Sequence, residues 1–213
     1  VEISHGALCA FLDAMRQEPG CAAGDRLLAV TTVSFDIAVL ELFLPLLSGA
    51  TTVIAQAHET LDAKVLAGLM ERHAVTLMQG TPATWQLLLD AGWQGTPTLT
   101  KILCGGEALP RELADRLLAV GAPVWNLYGP TETTVWSTVW QVEPDVEDVL
   151  IGSPIAGTQV YVLDENLSPV PLGFPGELCV GGAGVARGYH NDPEQTRLRF
   201  ADNPFHPGTL YRG

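Results

Sequence analysis

The sequence predicts an α/β protein, in which a sheet with helices on both faces is followed by a smaller β-rich, barrel-like subdomain. Strand-like and helix-like segments alternate along the first two thirds of the chain, which is typical of an α/β sheet. After about residue 145, short apolar runs are separated by Pro and Gly, as in antiparallel or barrel-like folds. We therefore expect one subdomain over residues 1–145, incomplete at its amino end, and a second over 146–213, incomplete at its carboxy end.

The individual elements are predicted from short β-branched apolar runs and from helical periodicity with its start and stop signals. Prolines 82 and 110 suit the first turn of a helix, and Ser48-Gly49 is a typical helix end. Helices are expected at 36–47, 63–72, 82–89, 110–120 and near 193–198. Strands are expected at 27–31, 51–54, 75–78, 101–104, 123–128, 160–163 and 177–180, and a loop at 203–208.

The composition narrows the class of protein. The net charge of −13 disfavours a broad basic surface for nucleic acid, whereas a single nucleotide can be held by backbone dipoles and a metal ion. The sequence has no apolar run of roughly 18–20 residues, so we expect no membrane span. The four cysteines lack C-x-x-C spacing and predict reduced, buried thiols in a cytoplasmic protein.

Residues 126–134, Asn-Leu-Tyr-Gly-Pro-Thr-Glu-Thr-Thr, carry the clearest chemical signal. A strand runs into a Gly-Pro turn and then into hydroxyl groups around one carboxylate. Ligands bind at the carboxyl ends of strands in open α/β sheets, where a tyrosine can stack on a purine and threonines can donate to phosphates. A carboxylate beside phosphates requires a divalent cation, typically Mg²⁺. The alternative is a solvated turn with an incidental acid.

Four segments in this order resemble the motifs of adenylate-forming enzymes, and specifically of the adenylation domains of nonribosomal peptide synthetases. Residues 126–134 are similar to the Y-G-P-T-E-T core of that family, 105–109 to G-G-E-A-L, and 34–41 to F-D-x-S, with Ala38 in place of its serine. Residues 176–189 resemble G-E-L-x-x-x-G-x-G-V-A-R-G-Y. Taken alone, Gly182-x-Gly184-x-x-Arg187 lacks the third glycine of a dinucleotide fingerprint.

The resemblance implies a role for each residue around the nucleotide. Tyr128 would stack on adenine, and Asn126 would hydrogen-bond its exocyclic amine. Thr131 would contact the α-phosphate, and Glu132 would hold Mg²⁺. Two glycines would let the backbone approach ATP closely, namely Gly105 and Gly106.

Asp36 has two interpretations. Its place at the start of a predicted helix favours a helix cap. The resemblance instead implies that it pairs with the α-ammonium group of an amino acid. Another carboxylic acid would leave this charge unpaired, and burying an unpaired charge costs several kcal/mol. A carboxylate in that role selects amino acids and argues against acyl-CoA-ligase-type activation of another carboxylic acid.

The resemblance also places the residues that line the substrate's side-chain pocket. Bulky apolar groups dominate them, and Trp136 is large enough to fill the space of a side chain, so the pocket is similar to the glycine type. An ordinary core tryptophan is the alternative for Trp136. The expected lining comprises Asp36, Ile37, Leu40, Gln79, Leu103, Gly105, Leu127, Gly129, Val135 and Trp136.

Together these motifs imply an enzyme of secondary metabolism, such as antibiotic biosynthesis, that activates an amino acid, with glycine favoured, using ATP and Mg²⁺. Its expected partners are a carrier domain bearing phosphopantetheine and a neighbouring condensation domain. The family's phosphate loop is expected before Val1 and its catalytic lysine after Gly213, so residues 1–213 alone are expected to be inactive. A noncatalytic nucleotide-binding scaffold is the remaining alternative.

Overall fold

The computed structural model describes residues 1–144 and 146–213, and the chain divides into two compact units. The larger unit consists of residues 15–128 and 138–153. The smaller unit consists of residues 1–14, 129–137 and 154–213. The expected boundary between subdomains falls at Asp145, which lies outside the described residues, and it stays a prediction.

A mixed sheet forms the centre of the larger unit. Its strands are β1 (Arg26–Ala29), β2 (Thr51–Ile54), β3 (Leu77–Gly80), β4 (Lys101–Gly105), β5 (Val124–Tyr128), β6 (Thr138–Gln141) and, at the edge, β7 (Ser153–Pro154). The spatial order is β2-β1-β3-β4-β5-β6-β7. Pairing is parallel from β2 to β5, and β6 runs antiparallel to β5. The predicted α/β class is confirmed.

The helices are mostly short and carry clear boundary signals. They are α1 (His5–Met15), α2 (Ala38–Ser48), α3 (Ala63–Arg72), α4 (Pro82–Asp90), α5 (Arg111–Leu118) and α6 (Pro193–Arg199), with single turns at Arg16–Gly20, Glu59–Leu61 and Thr131–Thr133. The side chain of Asp62 accepts from the backbone N–H groups of Lys64 and Val65 and so caps α3. Gly49 ends α2 with φ 69°, a left-handed conformation that glycine adopts without a Cβ penalty.

Helices cover both faces of the large sheet. Met78 belongs to a core that contains Leu66, Trp85 and Leu117, which lie on α3, α4 and α5. The next residue, Gln79, donates from Nε2 to the carbonyl of Ile37, just before α2, at 2.9 Å. Because consecutive strand residues point to opposite faces, α2 lies on the face opposite to α3–α5.

The sheet of the smaller unit is antiparallel. Its strands are β8 (Thr158–Leu163), β9 (Glu177–Gly182), β10 (Phe200–Asp202) and β11 (Thr209–Arg212), in the order β10-β11-β9-β8. Every pair of neighbours runs antiparallel. The β-rich character is confirmed, whereas the barrel is not, because these strands form a four-stranded sheet.

Several elements differ from the sequence-based expectation. Helix α1 and strand β6 were not predicted, because their apolar residues follow neither clear helical nor clear alternating periodicity over enough length. Cys9 is exposed, which corrects the expectation that all four thiols are buried, whereas Cys21, Cys104 and Cys179 are buried. Among residues 1–144 and 146–213, no helix is long and apolar enough to cross a membrane.

Candidate functional site

Four of the expected pocket positions share one face of the large sheet. Gln79 on β3 is in register with Leu103 on β4, and Gly105 on β4 is in register with Leu127 on β5. Positions 103 and 105 are two residues apart on one strand, so all four positions point to the same side. The side chains of Gln79, Leu103 and Leu127 are buried.

The start of helix α2, with its N-cap residue Ile37, provides the next two expected pocket residues. Ile37 and Leu40 are three residues apart, so they lie on the same side of the helix. Both are buried, and the carbonyl of Ile37 accepts the hydrogen bond from Gln79. Six of the expected pocket residues therefore lie either at the start of α2 or on one face of the sheet, and the hydrogen bond between Gln79 and Ile37 joins the two sets.

Asp36 immediately precedes this cluster. The N-cap position of α2 belongs to Ile37, so Asp36 lies one residue before the cap that the helix-cap interpretation assigned to it. Its backbone carbonyl accepts from the N–H of Val39 at 2.9 Å, and its side chain is half-buried. A carboxylate is thus placed at the end of the segment that joins β1 to α2.

Gln79 plays a larger part than lining a pocket. Its Nε2 donates to the carbonyl of Ile37 at 2.9 Å and to Oε1 of Glu41 at 3.0 Å. Both partners act as acceptors, so the amide nitrogen, with its two hydrogens, satisfies both at once. Sequence analysis missed Glu41, although a single acid within the apolar helix 38–48 is a signal that was available.

The expected adenine-binding residues lie on and beside strand β5. Tyr128 is its last residue and is half-buried, and burial raises the pKa of its phenol. The side-chain nitrogen of Asn126 donates to the carbonyl of Leu150 at 2.8 Å, which fixes the orientation of the amide. Gly106 follows β4 with φ 90°, a conformation that strongly favours glycine. These residues belong to the larger unit.

The smaller unit contains the loop that follows Tyr128. At Gly129 an added Cβ would lie 2.5 Å from the carbonyl oxygen of Val135 and 2.6 Å from Cα of Trp136. Such contacts are too short for any side chain, so glycine is required for the loop to fold back on itself. The structure thus gives Gly129, expected among the substrate-binding residues, a role in shaping the loop that carries Val135 and Trp136.

The loop 129–137 has a strained backbone. Thr134 and Val135 have φ values of 64° and 68°, which are outliers for β-branched residues. Such conformations persist where surrounding contacts hold them, and they cluster at functional sites. Here the hydroxyl of Thr134 donates to the carbonyl of Gly184 at 2.6 Å. The hydroxyls of Thr133 and Ser137 form a hydrogen bond with each other at 2.5 Å. Both Val135 and Trp136 are buried.

Segment 184–189 supports the loop 129–137 through hydrogen bonds to Glu132. The N–H of Ala186 donates to the carbonyl of Glu132 at 2.8 Å, and the hydroxyl of Tyr189 donates to Oε1 of Glu132 at 2.6 Å. At Gly184 a Cβ would lie 2.9 Å from the carbonyl oxygen of Thr133, so the two segments pack backbone to backbone. The resemblance identified both motifs, but the residues alone did not show that one supports the other.

Glu132 is the residue at which the sequence resemblance places a metal ion. Burial raises the pKa of Tyr189, and its hydrogen bond to Glu132 adds to that effect, so Tyr189 remains a donor at neutral pH. Within the described residues, no group of three or more His, Cys, Asp or Glu side chains could hold a metal ion. Mg²⁺ commonly uses one or two carboxylates together with substrate phosphates, and Glu132 fits that pattern.

Comparison of the sequence with known protein families identifies the class of protein. The family of AMP-binding enzymes matches residues 1–190, so the chain belongs to this family.

Particular relatives are multidomain synthetases. The chain is 55% identical over 212 residues to the PKS-NRPS hybrid synthetase acdB of Aspergillus candidus, and 45% identical over 215 residues to a dimodular nonribosomal peptide synthase of Bacillus subtilis. Each alignment covers 100% of this chain, and they cover 8% and 9% of those proteins. The chain therefore spans less than a tenth of either relative.

Solved structures of similar fold are also nonribosomal peptide synthetases. The crystal structure of a holo four-domain nonribosomal peptide synthetase bound to AMP and glycine has a TM-score of 0.93 at 41% identity, over 99% of this chain and 16% of that one. The AMPPNP-bound form of the synthetase FmoA3 has a TM-score of 0.90 at 30% identity, over 99% of this chain and 24% of that one.

Proposed function

We propose that the chain is the central part of an adenylation domain that activates an amino acid with ATP as aminoacyl-AMP. One observation carries the proposal: Asp36 directly precedes the buried residues of α2 that cover one face of the sheet. In this setting a carboxylate pairs with a substrate ammonium, whereas a plain carboxylic acid would leave Asp36 without that partner. The names of the synthetase relatives support the same activity.

The proposed reaction needs no protein nucleophile. An oxygen of the substrate carboxylate attacks the α-phosphorus of ATP, a new P–O bond forms, and the bond to the departing pyrophosphate breaks. Thr131 would donate to an α-phosphate oxygen, and Glu132 would hold Mg²⁺. The metal ion, when bound, would offset negative charge that develops on the phosphates.

The proposed adenosine contacts come from the larger unit. Tyr128 would stack on the adenine ring through its aromatic face. Asn126 would accept from the exocyclic amine through its side-chain oxygen, because its nitrogen already donates to Leu150. Gly105 and Gly106 would permit a close backbone approach to the nucleotide.

Glycine is the proposed substrate. Ile37, Leu40, Leu103 and Leu127 are all buried apolar residues, which leaves little room for a substrate side chain. Val135 and Trp136 enter this proposal through the sequence resemblance alone. The 41% identical synthetase whose crystal structure contains AMP and glycine gives further support.

The proposed partners follow from the relatives. Multidomain synthetases are the relatives that the chain matches over its whole length. We propose a carrier domain with phosphopantetheine as the acceptor of the activated amino acid and a condensation domain as a neighbour. We also propose that residues 1–213 alone do not form the adenylate, because the resemblance places the phosphate loop and the lysine outside them.

The experiment is amino-acid-dependent ATP–pyrophosphate exchange by a complete adenylation domain that carries this sequence. We expect exchange with glycine well above alanine, and near background with phenylalanine. Trp136→Ala should relax selectivity toward alanine or larger amino acids. Equal or better exchange with phenylalanine would exclude glycine, and exchange with acetate but with no amino acid would exclude the proposed function.

A further inference from the structure

Glu41 is a fully buried acid that has no role in the proposed chemistry. Its side chain is 0% exposed on α2. Its Oε2 accepts from the backbone N–H groups of Val30 and Thr31, each at 2.9 Å. Its Oε1 accepts from the hydroxyl of Thr31 at 2.7 Å and from Nε2 of Gln79 at 3.0 Å. A buried carboxylate is tolerated when it is hydrogen-bonded in this way.

All four of these donors are electrically neutral, and each oxygen of Glu41 accepts two of them. Burial raises the pKa of Glu41, and the hydrogen bonds from Thr31, Gln79 and Val30 offset part of that effect. Oε2 faces two backbone N–H groups that can only donate, so that oxygen is an acceptor in every state. The donor set is therefore complementary to the carboxylate form.

The hydrogen bonds of Glu41 and Gln79 hold both ends of segment 30–37. Glu41 binds the first two residues, Val30 and Thr31, through their N–H groups. Gln79 binds the last residue through the carbonyl of Ile37 and also binds Glu41. Asp36 is the residue next to Ile37, so its backbone position depends on the end that Gln79 holds.

We propose that Glu41, acting with Gln79, is a positioning residue for amino-acid recognition. It holds segment 30–37 so that the carboxylate of Asp36 is presented to the substrate's ammonium group. This inference rests on the proposed function, in which Asp36 binds that group. Binding sites require support of this kind, because a loosely held ligand-binding side chain loses affinity without any change in its own chemistry.

A second carboxylate network provides a matched control. Asp25 accepts from the hydroxyl of Thr76 at 2.8 Å and from the N–H of Ala22 at 2.8 Å. The hydroxyl of Thr76 in turn accepts from the N–H of Arg26 at 2.9 Å. This network joins the amino ends of β1 and β3, whereas Glu41 acts at their carboxyl ends. Asp25→Asn thus perturbs the same strands away from Asp36.

The test uses a complete adenylation domain that carries this sequence, with Glu41→Gln, Thr31→Val and Asp25→Asn as variants. The amide of Glu41→Gln places an NH₂ group against donors, and Thr31→Val removes one donor while keeping the β-branched shape. Pyrophosphate exchange gives KM for glycine and for ATP, and circular dichroism gives the folded fraction. The ratio of exchange with glycine to exchange with glycolate measures ammonium recognition directly.

We expect Glu41→Gln to raise the KM for glycine about tenfold or more and to lower the glycine-to-glycolate ratio, with the KM for ATP within about twofold. Thr31→Val should move both quantities in the same direction by a smaller factor, and Asp25→Asn should move neither. Unchanged glycine KM and ratio in folded Glu41→Gln would overturn the inference, and Thr31→Val decides the question if Glu41→Gln does not fold. Absence of exchange with every amino acid in the unmodified domain would instead refute the proposed function.

Discussion

Tyr189 donates its phenol hydrogen to Oε1 of Glu132 at 2.6 Å, across 57 positions of sequence. The backbone carbonyl of the same Glu132 accepts from the N–H of Ala186 at 2.8 Å. The acid proposed to hold Mg²⁺ is therefore oriented by its side chain and by its backbone from one segment. A carboxylate ligand that is hydrogen-bonded by a neighbour is a common feature of metal sites.

Tyr189→Phe should impair this orientation. A hydrogen bond to a charged acceptor contributes about 1.5–3 kcal/mol, so we expect exchange activity to fall about tenfold or more and the half-saturating Mg²⁺ concentration to rise. The measurement is pyrophosphate exchange over a Mg²⁺ titration, with Mg²⁺-dependent nucleotide binding by calorimetry as a second readout.

Tyr161→Phe is the matched control, because the hydroxyl of Tyr161 is buried and has no hydrogen-bond partner among the described residues. Its ring stacks on Phe205 with centroids 4.9 Å apart, and phenylalanine keeps that contact. Activity should not change. Tighter Mg²⁺ dependence in Tyr189→Phe would show that Tyr189 competes with the metal ion for Glu132, contrary to this account.

Gly129→Ala should disrupt the loop 129–137. The new Cβ would lie 2.5 Å from the carbonyl oxygen of Val135, so the backbone that carries Trp136 has to shift. Overpacking of this kind typically costs about 1–3 kcal/mol of stability. We expect exchange activity to fall by more than the loss of folded protein accounts for. Gly24→Ala is the control, since an added Cβ there meets nothing within 4 Å. Equal activity in the two variants would contradict the role of Gly129.

Periodicity and turn signals predicted most of the α/β unit because its helices carry strong boundary residues. The expected helix 63–72 coincides with α3, which the Asp62 cap and the Arg72 end delimit. The expected strand 75–78 overlaps β3 but begins two residues too early, because burial alone does not fix the limits of a short apolar run. Strand β6 was missed because its four residues are too short for a clear pattern, and local patterns do not encode its pairing with β5.

The candidate site was located by motif resemblance, whereas its supporting contacts were not predictable. Glu41 and Tyr189 act through partners that are 38 and 57 positions away. Such contacts depend on strand register and loop path, which the sequence specifies only through the whole fold. Gln79 was expected as lining, and its hydrogen bonds to Ile37 and Glu41 became visible only from the structure.

The stability of the protein should report the burial of Glu41. Burial raises its folded-state pKa above the ordinary value of 4.5, so the unfolded chain ionises first as pH rises. The contribution of this group is therefore fully present below pH 4.5 and is lost as pH increases through the folded pKa. We expect the stability difference between the unmodified protein and Glu41→Gln to shrink from pH 4.5 upward in urea unfolding. A difference that grows with pH would mean that the folded-state pKa is lowered.

Cys104 should resist modification in the folded protein. Burial raises the pKa of its thiol to about 12, and the charge of Glu107 adds to that effect. The thiolate that reacts with alkylating reagents is then scarce at pH 8. Iodoacetamide labelling followed by peptide mass spectrometry should modify the exposed Cys9 and leave Cys104 unmodified until urea is added. Rapid labelling of Cys104 without urea would contradict the buried position.

The role of Asp36 is tested most directly by comparing Asp36→Ala with Asp62→Ala in a complete adenylation domain that carries this sequence. Asp62 caps α3 through two backbone N–H groups, so its loss should cost about 0.5–2 kcal/mol of stability and leave exchange unchanged. Asp36→Ala should remain folded but lose about two or more orders of magnitude in glycine-dependent exchange, as expected for a charge partner worth ~3–5 kcal/mol. The measurement is ATP–pyrophosphate exchange per folded molecule. Normal exchange by Asp36→Ala would contradict amino-acid recognition through this carboxylate.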